Sequence, residues 1–489
     1  MAANICALQV ITKCSLQRPS LPAKLEHSNN PLSSTFKKED SDSRKWKWKT
    51  LYKNKHVQTD TYNMEKDRTK PGFLPAIQGD SPAVLLAYLL NVLRFGVINK
   101  YLSNTNVFEH ANKYYSIAEN HMPQEIDIHS LQTLGNWKIP SGSWDRPFTS
   151  HPKKAPGTGE LVIIGIDAQK PYFELGVISA DGNKMVHKAD LMFDRCTVCH
   201  EIGVTQRYNV IMNFPLTIDI SRLVLGGQLM RFEKDGYARI GIMPRYGDAN
   251  SIKWFEVDPC CVFHIINCFE HNDEVVVRAC RARQSVIPGP SSSINHFERL
   301  FSKWFKKETS CTSTDEFTKE STFPRVCEWR LNMKTGEVRE KKNLSGDEFA
   351  MEFPIINEKF TGFRNKFAYL QVVESKEVSG SGFTRFGGLA KLHFEEKKIS
   401  TDEEDELIKA EYHMFPKDTF CSGASFVQKP GGIDEDDGWI ITFTHNENEN
   451  ISQVCIIDAK KFTDEPVAII TLSSRVPYGF HGAFMPLES

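Results

Sequence analysis

The stretch Asp194–Leu216, DRCTVCHEIGVTQRYNVIMNFPL, concentrates side chains able to do chemistry, with two thiols and an imidazole close together. Cys196-Thr-Val-Cys199-His200 has the spacing that attaches a c-type haem through both cysteines, His200 then being the axial ligand. His200 could instead be one of several histidines that distant strands gather around a single non-haem iron. A third reading is a structural imidazole satisfied by hydrogen bonds. The haem pattern sits poorly in a mid-chain, strand-rich setting without a secretory apolar region. His200 heads the run Tyr208–Leu216, which is rich in strand formers and closed by Pro215, a position near a strand's start.

The histidine inventory widens the search. Of 15 histidines, four stand at strand ends or inside strand patterns beside small or apolar neighbours: His151 in SHPKKAPGTGEL, His200, His264 in CCVFHIINCFE, and His481 in VPYGFHGAF. His264 is the sharpest signal, because an imidazole buried within Cys260–Phe269 needs a polar partner, either a ligand or a hydrogen bond. No two of these four have the close spacing of a zinc motif, so spacing alone establishes no metal site. Histidines so far apart in the chain could share a metal only in a fold whose strands converge on an axis.

The elements that must do this positioning are mostly strands. Glu160–Asp167, Tyr172–Ser179, Ala238–Arg245, Cys260–Phe269, Glu274–Cys280, Val326–Met333, Lys366–Val373, Gly388–Phe394, Gly438–Thr444, Gln453–Asp458 and Val467–Leu472 are rich in β-branched and aromatic residues. Asp181-Gly182 and Thr335-Gly336 are hairpin signals. Many short strands with little helix fit a large sandwich or a β-propeller, and at this length without parallel-sheet alternation the propeller is the better fit, although no clean internal repeat is visible. Ser81–Leu102 is the one long helical pattern, opened by Ser81-Pro82. Its apolar run is interrupted by Asn91 and Arg94 and is too short for a bilayer span, so it reads as a core or lid helix, or as a face lying on a membrane surface. Residues 281–324 read as an excursion from the rim, Glu395–Glu411 as a solvated loop or short exposed helix, and Asp436-Asp437-Gly438 as a turn rather than a carboxylate pair.

Composition bounds the class. A chain of 489 residues, 40% hydrophobic and with 32 phenylalanines, can bury a large core. Its net charge of −2 gives no footprint for nucleic acid. The 12 scattered cysteines suit reduced thiols in an intracellular compartment. Residues 1–47 differ: no Asp or Glu occurs before Glu26, while Lys13, Ser15, Arg18, Ser20 and Lys24 do, in the style of an organellar transit peptide or a disordered tail.

Several ordered runs then identify a family. WDRPFTSHPKKAPGTGELVIIG, the His200 stretch, ARIGIMPRYGD, IKWFEVDPCCVFHIINCFE, MEFPIINEKFTGFRNKFAYL, GGIDEDDGWIITF and RVPYGFHGAFMP resemble the carotenoid cleavage oxygenases from about Trp46 onward. Within plants the chain looks most like plastid members acting on apocarotenoids, the zaxinone synthase group, from NTNVFEHANKYYSIAENHMPQEID and the long rim excursion. The resemblance implies an all-β, seven-bladed β-propeller over 48–489 with a small helical cap. It implies that His151, His200, His264 and His481 bind Fe(2+), and that O2 splits a conjugated C=C bond of an apolar polyene. A plastid location follows, with a cytoplasmic one as the alternative.

Family glutamates orient the iron-binding imidazoles, and Glu119 in SIAENHMPQE and Glu352 in MEFPIIN stand at matching places. The third place reads SGASFVQKP, with Gly423 where the family has Glu. The family's R-N-G-P-N-P type stretch is absent from 1–47, which leaves the first blade incomplete and raises a rival expectation: a shortened, non-catalytic form that binds polyene or a full-length partner.

Overall fold

The computed structural model describes residues 52–68, 72–76, 81–139, 144–283, 324–346, 348–373, 385–397, 407–479 and 481–485, with the backbone of four short strands before Tyr52. The described residues are mostly β, with few helices. Four antiparallel four-stranded sheets run consecutively along the chain, opening on Asn106–His110, Lys153–Lys154, Gly203–Val204 and Cys261–His271. An eight-stranded sheet follows. It falls into two meanders, opening on Met351–Ile355 and Thr419–Gln428, that meet through the single pair Phe386↔Cys421.

What positions the site is the arrangement of these opening strands. Lys153–Lys154 lies beside Gly203–Val204, that strand beside Cys261–His271, then Met351–Ile355, then Thr419–Gln428. No ladder joins the first three, which belong to separate sheets; one isolated parallel bridge, His151↔Glu201, links the first two. Between the meanders lie apolar side chains that alternate along the strands. Val162, Leu175, Ile211, Ile240, Val277 and Trp329 form one cluster shared by three consecutive units.

All eleven expected strands are present, with ends displaced by a few residues, and both hairpin signals sit in turns with glycine at positive φ, Gly182 at 70° and Gly336 at 82°. Three expectations need correction. The helix is Ser81–Phe95 and does not run to Leu102, because Gly96 at φ 76° closes it with its N–H on Val92 O at 2.9 Å. Asn91, which breaks the apolar run, is buried within the helix, its amide donating to Leu74 O and Ile98 O at 2.8 and 2.7 Å. Pro215 divides Tyr208–Leu216 between Tyr208–Asn213 and Leu216–Ile218. Glu395–Glu411 is not all loop, since its ends belong to Phe386–Lys397 and Ile408–Met414, where Lys409 bridges Glu396 and Glu411 at 2.9 and 3.2 Å.

The meander Asn106–Asn136 carries no glycine turn; Ala111 and Asn112 make its first hairpin at φ 52° and 62°. Of residues 1–47, only Leu8–Val10, Lys13–Cys14 and Ser33–Thr35 are described, and Leu8–Val10 pairs with Asn54–His56. Most of the 281–324 excursion, from 284 to 323, lies outside the described residues.

Candidate metal centre

The opening strands, or the residues just before them, bring most of the polar groups to one place. His151 precedes Lys153–Lys154, His200 precedes Gly203–Val204, and His264 lies within Cys261–His271. Glu352 belongs to Met351–Ile355 and Gly423 to Thr419–Gln428, while His481 arrives from the C-terminal segment. Three of these strands slip register at these residues, between Val262 and Ile265, Glu352 and Ile355, and Ser422 and Ser425. A bulge re-aims the side chain it carries, so strand pairing is interrupted where inward groups are needed.

The four imidazoles converge. His151, His200, His264 and His481 each offer a nitrogen, all within 4.8 Å of one another. His151 and His200 approach Nε2 to Nε2 at 3.0 Å, and the His151 ring centroid is 4.4 Å from that of His481 and 5.2 Å from that of His264. His264 Nδ1 donates to Glu352 Oε2 at 2.6 Å, which leaves the lone pair on Nε2. That Nε2 is buried and has no hydrogen-bond partner, a cost a cation would remove. Burial, reinforced by neighbouring rings, holds His151 and His481 well below the ordinary imidazole pKa, in the neutral form a metal requires. Neutral imidazoles are good ligands for a divalent transition metal, so the four residues fit such an ion.

The backing of the rings is uneven. Glu352 is buried and also accepts the Phe353 N–H at 2.8 Å. Glu119, half-buried, pairs with His200 Nδ1. Burial opposes charge on both members, but each sustains the other: the Glu119 carboxyl falls below its ordinary pKa and His200 rises above its own. Among the described residues no carboxylate backs His151; the Asn106 amide nitrogen, donating to Ser150 O at 2.9 Å, stands 3.4 Å from its Nδ1. At Gly423 the chain takes φ 63°, and a Cβ there would lie 3.0 Å from His481 O. The backbone of the fourth histidine stands tight against any side chain there, and the positive φ disfavours one as well.

Every histidine and both glutamates named from the sequence meet here. Sequence reasoning overlooked Asn106, Phe353 and Glu201. Phe353, at φ 54°, sets its ring 5.0 Å from His264 and 5.1 Å from His481, and no sequence signal announces a phenylalanine in that conformation. Glu201 carried a signal, an acid directly after His200 in a strand-rich stretch. The haem reading fails on geometry: Cys196 and Cys199 are buried, burial pushes both thiols up to about 12, and Cys199 donates to Glu201 O at 3.3 Å. Nine cysteines, these two among them, are buried and in no disulfide. Asp437 is the expected turn residue, accepting the N–H groups of Ile433 and Asp434 at 3.0 and 2.9 Å.

A sequence profile of the retinal pigment epithelial membrane protein (RPE65) family matches residues 35–486. The chain belongs to the RPE65/carotenoid cleavage dioxygenase family. This family member is 33% identical to a carotenoid 9,10(9',10')-cleavage dioxygenase 1 of Pisum sativum over 78% of its own length and 66% of the relative's. It is 26% identical to the 9-cis-epoxycarotenoid dioxygenase NCED1, chloroplastic, of Oryza sativa subsp. japonica, over 88% of its own length and 64% of the relative's. It thus spans about two thirds of the length of these curated relatives. The fold matches that of cobalt-substituted Synechocystis ACO with TM-score 0.69 at 18% identity, covering 99% of this chain and 93% of that one.

Proposed function

We propose that the chain is an iron(II)-dependent dioxygenase that splits one conjugated C=C bond of a carotenoid or apocarotenoid with O2, giving two carbonyl products. The observation that carries this is the convergence of His151, His200, His264 and His481, whose ring nitrogens lie within 4.8 Å of one another. Membership of the carotenoid cleavage dioxygenase family supplies the substrate class. The four imidazole nitrogens would hold a divalent transition metal. Bound there, iron(II) supplies the redox chemistry by which both atoms of O2 end in the two products. The residues do the rest: Glu119 and Glu352 fix the tautomer and orientation of His200 and His264. Phe353 and Phe263, its ring 5.3 Å from His200, line the ligand set with apolar surface suited to a polyene.

Five opening strands, each against the next, support a β-propeller with the histidines on its axis; the count of seven blades rests on the family resemblance alone. A plastid location is supported by the name of the rice relative, which is chloroplastic. Incubating the purified, iron-loaded chain with a panel of carotenoids and apocarotenoids should consume one O2 for each C=C bond lost. Folded protein that takes up no iron and releases no carbonyl product would mean a polyene-binding, non-catalytic form, the reading that Gly423 favours.

Peripheral contact with a membrane belongs to the same reading. Helix Ser81–Phe95 buries Val84 against Leu223 and Leu229, yet its other face is also apolar, with Leu86, Leu89 and Leu93 exposed, Leu93 at 72%. The adjoining short helix Ser221–Val224 adds Val224 at 76%, followed by Leu225 at 84% exposure. Among the described residues no helix is long and apolar enough to cross a membrane. We assign the combined face to a lipid surface, from which a polyene would be drawn. Replacing Leu93 and Leu225 with aspartate should lower vesicle binding at least about tenfold, since burying one leucine is worth roughly 1.5–3 kcal/mol. Turnover of detergent-dispersed substrate should persist; unchanged flotation with vesicles would remove the assignment.

A further inference from the structure

We infer that Glu201 is a positioning residue that sets the spacing of three of the four histidines. The inference rests on reading those histidines as a metal centre. The units that carry His151, His200 and His264 are separate sheets, so no backbone ladder fixes their relative positions. One side chain touches all three. Glu201 follows His200 directly, and its Oε2 accepts the N–H of Ile265, the residue after His264, at 2.6 Å. Its Oε1 pairs with the Lys153 ammonium, two residues beyond His151, and its backbone forms the isolated parallel bridge to His151 itself.

The chemistry of the group suits this task. A carboxylate is acceptor only, with two oxygens, and here each oxygen serves a different neighbouring strand. Glu201 is 5% exposed, so both partners are needed to compensate its charge, and removing either would leave a buried ion short of partners. Length matters as well as charge. Aspartate is shorter by one C–C bond, about 1.5 Å, and cannot keep both contacts without moving a strand. His481 lies outside this arrangement, arriving from the C-terminal segment.

Co(II) titration of the metal-free full-length chain tests the inference, with the visible d–d band reporting ligand geometry and the melting temperature of the metal-free protein reporting the fold. The control is Glu328→Gln, which breaks a buried pair with Arg278 Nε at 2.8 Å that does not touch the histidines. Glu201→Asp, which keeps the charge, should bind Co(II) about ten- to a hundredfold more weakly with an altered band, the range seen when outer-sphere partners of ligands are lost. Glu328→Gln should lower the melting temperature and leave affinity and band as in the parent. If Glu201→Asp does not fold, Glu201→Gln is judged by the same criteria. A folded Glu201 variant with parental affinity and band overturns the inference, as does a control that loses as much affinity. A parent chain that binds no Co(II) overturns the metal-centre reading, and this one with it.

Discussion

Replacing His264 by alanine is expected to empty the centre of metal and abolish polyene cleavage. His264 is 5% exposed, and its two nitrogens have separate tasks: Nδ1 donates to Glu352 at 2.6 Å, while Nε2 faces the other three rings with no partner of its own. Loss of an outer-sphere partner alone costs about ten- to a hundredfold in metal affinity, so loss of a ligand should exceed that range. The change also removes the Nδ1–H from a carboxylate only 2% exposed, which keeps the Phe353 N–H, so the variant should melt earlier as well. Iron analysis after gel filtration and carbonyl product measured by mass are the readouts. A His264→Ala chain that retains parental iron and turnover would show that the cluster is not the working centre.

Glu352→Ala should be the most damaging change among residues that do not face the centre. The buried His264 Nδ1–H would lose its acceptor, at about 1–3 kcal/mol, and the Phe353 N–H would lose the same carboxylate. Freed of the carboxylate, His264 can turn or change tautomer, and iron affinity should fall by about ten- to a hundredfold. Glu119→Ala should cost less on both counts, because Glu119 is half-buried and water can replace it beside His200. Chelator competition and thermal melting of the two variants measure the order directly. If Glu119→Ala proved the worse, the deep burial of the Glu352 contact would not be what holds the ligand set.

Local pattern made the strands legible. Alternation in Phe173–Ile178 or Gly438–Asn446, and glycine at Gly182 and Gly336, are written within a few residues, because side chains alternate and hairpin turns need positive φ. The pattern failed where the same conformation was reached without its usual residue. Ala111 and Asn112 turn a hairpin with no glycine, and the charged run 395–411 hides strand ends whose charges pair across the ladder. The helix was overextended because Val97 and Ile98 prolong the apolar run past Gly96, where the backbone has already turned.

The sequence by itself determined which residues could bind a metal, four imidazoles at strand ends or in strand patterns, and which two carboxylates could orient them. It also determined, through its ordered matches, the family. Only the tertiary structure decided that residues as distant as 151 and 481 share one point, that bulges beside His264, Glu352 and Gly423 turn these positions inward, and that the backbone of His481 stands tight against Gly423. The reason is physical: strand formation is a contest among near neighbours in the chain. The meeting of opening strands from separate sheets depends instead on packing between whole meanders, and on buried groups such as Glu201 whose partners lie more than forty residues away on either side.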